Sequence, residues 1–286
     1  MIDVTTRPLR LLVVDGNTRE QRDAHADGYR GLSPAQAYAQ EVAAIEPGAL
    51  TDICLPADEG VNLPDGAGLQ SYDGIFLTGS SLHIYKDEPA VSRQIELMRA
   101  IYASGTPCFG SCWGIQIGAV AAGGSVIANP KGREVGFARR ITVTQAGRTH
   151  PLLAGRPGAA GAPGIHLDTI VQPPGDTPVL ASNGDSALHA AEIRHAGGTF
   201  WGVQEHPEVP LAQVASILRR MTPILVAEGF RKDEAAARTW LDEIAALDAD
   251  PARADLAWAH ALDEEVLDAQ RRVTELRNFL TQRVQT

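Results

Sequence analysis

The chain has 286 residues and a net charge of −10, with 44% hydrophobic and 21% charged side chains. That composition suits a globular protein of one or two domains, and the acidic balance argues against a general nucleic-acid binder. Its apolar stretches are too short to span a membrane, residues 1–8 lack the features of a secretory leader, and three cysteines are too few for a disulfide framework. We therefore expect a cytoplasmic protein with no membrane or nucleic-acid partner.

The first half of the chain alternates short apolar runs with helical patterns. The runs predict strands over 9–15, 52–55, 74–78 and 107–110. Apolar residues at helical spacing predict helices over 33–45, 89–103 and 112–122. Strands that alternate with helices of this length form βαβ units, so the predicted fold class is α/β, a mainly parallel sheet flanked by helices.

The second half changes character twice. Short β-like runs occupy 140–143, 165–171, 179–181, 190–194 and 199–203, and the composition of 154–164 is typical of a loop. Helical patterns then cover 211–228, 233–247 and 253–283. We predict a catalytic domain over residues 1–230 and an all-helical extension over residues 231–286.

The last helical pattern carries an apolar stripe with alternating spacings of three and four residues. Its members are Ala259, Leu262, Val266, Ala269, Val273, Leu276 and Leu280. Such a stripe is typical of a coiled-coil seam or of a helix packed along a groove. Three interpretations remain open: packing on the chain's own domain, which we favour, a homodimer contact, or docking to a partner.

The segment 107–116 contains the pattern Gly-x-Cys-x-Gly between a predicted strand and a predicted helix. This is the arrangement of a nucleophile elbow with Cys112 as the nucleophile. The flanking glycines, Gly110 and Gly114, allow the strand and the helix to approach closely. A cysteine at a helix N-terminus is also favoured as the thiolate.

A cysteine nucleophile needs a base, and the base needs an orienting group. His206-Pro207-Glu208 supplies both, at the end of the predicted strand over 199–203. His206 is the candidate base and Glu208 its orienting carboxylate. Together with the elbow, these residues predict a Cys112–His206–Glu208 triad.

These two segments resemble the class I, or triad, glutamine amidotransferases, and in particular the GMP-synthase-like branch that stands alone as a separate chain. Supporting matches lie at 77–81, 85–89, 132–136, 150–153, 166–168 and 179–182. The resemblance covers roughly residues 10–229 and implies the flavodoxin-like fold of that family. Glu205 departs from the family, which usually has an aromatic or apolar residue at that position.

The resemblance also implies roles for further residues. Backbone N–H groups of Trp113 and of the Gly79-Ser80 turn are expected to form the oxyanion hole. Gln116, Glu134 and Gly136 are expected to contact the substrate, and no cofactor or metal is expected.

The implied activity is hydrolysis of the glutamine side-chain amide through a thioester on Cys112, with ammonia passed to a separate synthase. No ATP-binding loop is recognisable in the sequence, so the synthase would be another polypeptide. A γ-glutamyl hydrolase that acts on an amide, peptide or conjugate would use the same triad. A non-catalytic regulatory or assembly module is the alternative of another class.

Overall fold

The computed structural model describes residues 7–60, 63 and 68–285. Residues 1–6, on which most of the leader prediction rests, lie outside the described residues. Within the described residues, no helix is both long enough and apolar enough to cross a membrane.

A nine-stranded sheet forms the centre of the molecule, in the order β2-β1-β3-β4-β11-β10-β9-β6-β7. Its first five strands are parallel to one another. They are β1 (Arg10–Val14), β2 (Leu50–Cys54), β3 (Gly74–Leu77), β4 (Cys108–Ser111) and β11 (Gly198–Val203). The parallel half confirms the predicted α/β class, and it brings the carboxyl ends of β3, β4 and β11 to one edge, where open α/β sheets place their sites.

The other half of the sheet is antiparallel. It consists of β6 (Phe137–Val143), β7 (Ala159–Pro163), β9 (Val179–Ser182) and β10 (Ala190–His195). A separate pair joins β5 (Ser125–Ala128) to β8 (Asp168–Gln172). Residues 159–163 were predicted to be a loop because Ala, Gly and Pro carry little strand signal, but pairing with β6 makes them a strand.

Helices cover both faces of the sheet. The first four are α1 (Arg19–Gly28), α2 (Pro34–Ile45), α3 (Pro89–Ser104) and α4 (Trp113–Ala121). Apolar residues of α3 and α4 form one core with one face of the sheet, and those of α2 form a second core with the other face. Helix α1 was not predicted from the sequence because it is polar almost throughout. The sequence feature that indicates its start is the capping box of Thr18 and Gln21.

The predicted helix over 211–228 is divided into α5 (Leu211–Arg220) and α6 (Thr222–Ala227). Pro223 lies in the first turn of α6. Proline has no N–H for the helical hydrogen-bond ladder, so a single continuous helix through this point is disfavoured. Helix α7 (Glu234–Ala249) follows and packs against α5.

The prediction of one long helix over 253–283 was wrong. The segment forms α8 (Ala254–Ala259), α9 (Glu264–Leu267), α10 (Ala269–Arg272) and α11 (Thr274–Phe279), followed by a π-helical turn, Leu280–Val284. Ala261 adopts a left-handed conformation, and the carboxylates of Asp263 and Asp268 cap α9 and α10. The left-handed residue ends α8, and each aspartate caps the N-terminus of a new helix, so the segment restarts instead of continuing as one helix.

Most of the apolar stripe nevertheless packs inward. Leu262 and Val266 lie in a core with α5 and α7, whereas Val273, Leu276 and Leu280 join the core on the α2 face of the sheet. Phe279 contacts the rings of Phe76 and Phe109, with centroid separations of 5.3 and 5.7 Å. The stripe therefore packs on the chain's own body, as the favoured interpretation expected.

Candidate active site

Cys112 lies in the sharp turn between β4 and α4. Its backbone has φ 52° and ψ −100°, a conformation that L-residues rarely adopt, and its N–H donates to the carbonyl of Val203 at 2.8 Å. Strained backbone of this kind is common at catalytic positions. The side chain is almost fully buried and lines a cavity at the carboxyl edge of the parallel strands.

The two flanking glycines are required by close packing, as the elbow pattern predicted. A Cβ atom on Gly110 would lie 2.7 Å from the carbonyl carbon of Gly114, and one on Gly114 would lie 2.9 Å from the carbonyl oxygen of Leu77. Both distances are too short for a real side chain. The motif therefore allows α4 to begin directly against β3 and β4.

His206 follows β11 and faces the same cavity. Its ring nitrogen Nδ1 lies 2.9 Å from Oε1 of Glu208. Its backbone N–H donates to the carbonyl of Pro163 at 2.8 Å. The carboxylate orients the ring, and the side chains of His206 and Cys112 line the same cavity. The structure therefore brings Cys112, His206 and Glu208 together in the order that a nucleophile, a base and an orienting group require.

The electrostatics of this group favour a charged histidine. Burial alone would lower the pKa of His206, but the charges of Cys112 and Glu208 and their hydrogen bonds raise it well above its usual value. A protonated His206 can give its proton to the leaving nitrogen of an amide.

The expected oxyanion-hole residues lie at the same edge. The Gly79 carbonyl accepts hydrogen bonds from Asn17 Nδ2 and Thr78 Oγ1, both at 2.9 Å. Because the peptide is planar, these bonds also fix the direction of the Ser80 N–H. Trp113 is the first residue of α4, where an N–H has no intrahelical acceptor, and its indole is held by Gln94 at 2.7 Å.

The three expected substrate-contacting residues occupy different places. Gln116 lines the cavity, and its amide nitrogen lies 3.3 Å from both the carbonyl of Asp168 and Oε1 of Gln204. Glu134 points instead to His166, and Gly136 packs beneath the ring of Trp240. The substrate roles of all three stay predictions.

Glu134 belongs to a buried network that extends to Glu205, the residue before His206. Its Oε2 lies 2.8 Å from His166 Nε2 and 3.9 Å from His189 Nε2, while His189 Nδ1 lies 2.5 Å from Glu205. Burial would lower the pKa of His189, but Glu205 and Glu134 outweigh it and raise the pKa to about 9. Glu205, the departure from the family pattern, thus has a buried cationic partner.

Three residues of this network are of types that bind metal ions in proteins. Donor atoms of Glu134, His166 and His189 all lie within 4.8 Å of one another. His166 and Glu134 are paired by a hydrogen bond, whereas both ring nitrogens of His189 are buried and have no hydrogen-bond partner, although Glu205 lies 2.5 Å from Nδ1. The expected absence of a metal stays a prediction.

The cavity around Cys112 has a volume of about 520 Å³. One part of its wall is apolar and consists of Ile165, Leu167, Ile217, Met221 and Ile224. Polar groups are contributed by Arg133, by Arg220 and by His83, whose Nδ1 lies 2.9 Å from Asp168. Sequence reasoning missed most of this wall, because α5 and α6 show only the ordinary apolar pattern of a packed helix.

The model of the class I glutamine amidotransferase family matches residues 53–221. The chain belongs to that family, and it is an enzyme of the amide-hydrolysing kind. Among curated relatives, a γ-glutamyl-L-1-hydroxyisopropylamide hydrolase from a Pseudomonas species is 38% identical over 226 residues, which cover 77% of this chain and 75% of the relative.

Other relatives match a shorter region. The GMP synthase of Leifsonia xyli is 35% identical over 137 residues, or 48% of this chain, but the match spans only 26% of that protein. A solved glutamine amidotransferase from Thermotoga maritima has a TM-score of 0.68 at 16% identity, covering 98% of this chain and 100% of that one. At this identity the structural match shows the fold, and it extends over the C-terminal helices.

Proposed function

We propose that the enzyme hydrolyses an N-substituted γ-glutamyl amide, with a small amine as the leaving group. The observation that carries the proposal is the cavity, which joins the Cys112–His206 pair to an apolar wall formed in part by Ile217, Met221 and Ile224. Ammonia has no apolar surface to bury, whereas an alkyl substituent on the amide nitrogen gains by contact with such a wall. The relative that is 38% identical over most of its length is named for a substrate of this class.

The proposed reaction proceeds in two halves. The Cys112 thiolate attacks the side-chain amide carbon, and the N–H groups of Trp113 and Ser80 stabilise the oxyanion. The C–N bond breaks as protonated His206 gives its proton to the departing amine. A water molecule then transfers a proton to His206 and attacks the thioester, the C–S bond breaks, and glutamate leaves.

Glutamine is the second candidate substrate, because the family model is that of the glutamine amidotransferases. In that case ammonia would pass to a synthase encoded separately. A homodimer through the C-terminal helices, a cytoplasmic location and a division of the chain at residue 230 rest on the sequence alone, and they stay predictions.

The test compares glutamate release from glutamine and from γ-glutamyl alkylamides of increasing size. We expect kcat/KM to rise by about tenfold for each methylene group or two that the apolar wall accommodates. Activity must vanish in Cys112→Ala. The matched control is Cys54→Ala, since Cys54 is buried and burial raises the pKa of its thiol to about 12.

Two outcomes would count against the proposal. A higher kcat/KM for glutamine than for every alkylamide would assign the site to glutamine. Glutamate release that persists in Cys112→Ala would remove the triad from the reaction altogether.

A further inference from the structure

The C-terminal helices place charged side chains directly behind the catalytic loop. Arg272 of α10 and Glu275 of α11 have side chains that are only 4% and 1% exposed. Long charged side chains are rarely buried to this extent unless they are paired. Their partners therefore indicate what the segment does.

Arg272 joins three parts of the molecule. Its Nη1 donates to the carbonyl of Pro207 at 2.5 Å, and its Nη2 lies 2.9 Å from Oε2 of Glu41 in α2. The guanidinium is planar, so its two nitrogen atoms hold these acceptors at a fixed separation. Glu41 neutralises the charge of Arg272 through Nη2, while Nη1 donates to the backbone carbonyl of Pro207.

The accepting carbonyl stands between the two residues that must stay aligned. Pro207 separates His206 from Glu208, whose side chains are 2.9 Å apart. The Pro207 carbonyl belongs to the peptide that enters Glu208, and proline itself has no N–H to anchor the loop. Besides the Arg272 contact, the loop backbone is held by His206 N–H to Pro163 and by Val209 N–H to His206.

A second ionic cluster of the same helices lies within electrostatic range of Glu205, the residue before the base. Glu275 lies 2.7 Å from Nε of Arg156, and Arg156 also lies 2.6 Å from Glu265 of α9. The charges of Glu205 and Arg156 interact, and Glu205 immediately precedes His206. Burial and the repulsion by Glu205 raise the pKa of Glu275 to about 7, so of these two buried residues it is Arg272 that contacts the loop directly.

We propose that Arg272 is a positioning residue for the amidase reaction: it holds the Pro207 carbonyl and thereby fixes the His206–Glu208 alignment from outside the matched family region. This inference rests on the proposed function for its kinetic consequence, though not for its geometry. It also gives the C-terminal helices a role in catalysis.

The experiment uses the whole 286-residue chain with three variants of Arg272 and one control. In Arg272→Gln we expect kcat for glutamate release to fall by about 10²-fold with KM nearly unchanged, because a displacement near 1 Å at the base is enough for such a loss. Arg272→Lys keeps the charge but cannot hold both acceptors, so we expect a partial loss of about tenfold. Arg271→Gln is the matched control, since Arg271 is half-exposed and pairs with Glu264 and Glu265.

Two further measurements separate positioning from general stability. Alkylation of Cys112 by iodoacetamide needs no substrate, and we expect it to slow in Arg272→Gln, because a misaligned His206 no longer stabilises the thiolate. In Arg272→Ala, guanidinium at low, non-denaturing concentration should restore part of both rates. A merely structural role predicts that both rates recover only in proportion to the folded fraction, which thermal unfolding of the same samples measures.

The outcomes are distinct. Folded Arg272→Gln with kcat and alkylation rate within twofold of wild type overturns the proposal, whatever the substrate is. If Arg272→Gln does not fold, folded Arg272→Lys decides, and a wild-type rate there overturns it as well. Failure of the proposed function appears differently, as wild-type protein that releases no glutamate while its Cys112 alkylation still depends on Arg272.

Discussion

Replacement of Gly79 by alanine tests how closely the Gly79-Ser80 turn packs against His206, the proposed base. A Cβ atom at this position would lie 2.4 Å from Cε1 of His206, whereas ordinary contacts begin at 3.4 Å. The imidazole or the turn must therefore move by about 1 Å. The Gly79 backbone lies outside the left-handed region, so alanine introduces this contact without a backbone conflict.

The expected loss follows from that displacement. A misplacement of about 1 Å commonly costs about 10²-fold in rate, so we expect kcat for glutamate release to fall by that factor. The strain itself should lower the free energy of unfolding by about 1–3 kcal/mol. Glutamate release and thermal unfolding, measured on the same preparation, separate the two effects.

The matched control is Gly158→Ala. Gly158 is exposed, lies outside the left-handed region, and would have no atom within 4 Å of an added Cβ. Wild-type activity is expected there. Retention of kcat within threefold in Gly79→Ala, or an equal loss in Gly158→Ala, would refute the assigned contact between Gly79 and His206.

Two predictions concern pH. Glu208→Gln removes a charge that raises the pKa of His206, so the alkaline limb of the kcat/KM profile should move to lower pH. The value of kcat should fall by about 10²–10⁴-fold. An alkaline limb that does not move would contradict the pairing of Glu208 with His206. His189 has a pKa of about 9 in the folded protein against 6.5 as its usual value. Its contribution to stability is therefore complete below pH 6.5 and is lost as the pH rises through 9. The loss in the free energy of unfolding, measured with denaturant, should reach up to about 3 kcal/mol. It should be smaller in Glu205→Gln. An identical pH dependence in that variant would rule out the His189–Glu205 pair.

The parts of the site that local sequence determines were predictable. Gly110, Cys112 and Gly114 stand close together in a turn whose geometry demands those residue types, and His206 and Glu208 are two residues apart. These short motifs were therefore enough to predict the candidate nucleophile, base and orienting carboxylate.

Other parts depend on distant contacts that no local pattern encodes. The Arg272–Pro207 hydrogen bond joins residues 65 apart, and the Glu134–His166 contact depends on two irregular segments meeting. The single long helix predicted over 253–283 failed for a local reason. The apolar stripe was read there without weighing Asp263 and Asp268, whose side chains start new helices.

The contacts of Phe279 with Phe76 and Phe109 have a consequence for how the chain acquires its structure. These rings are separated by roughly 170–200 residues of sequence, yet they close the same face of the sheet. Contacts between such distant segments slow folding, because the closure entropy is lost before the contact forms. We expect a slow final phase in refolding, during which an apolar sheet face stays open to solvent and to other chains, so that yield on refolding should fall as protein concentration rises.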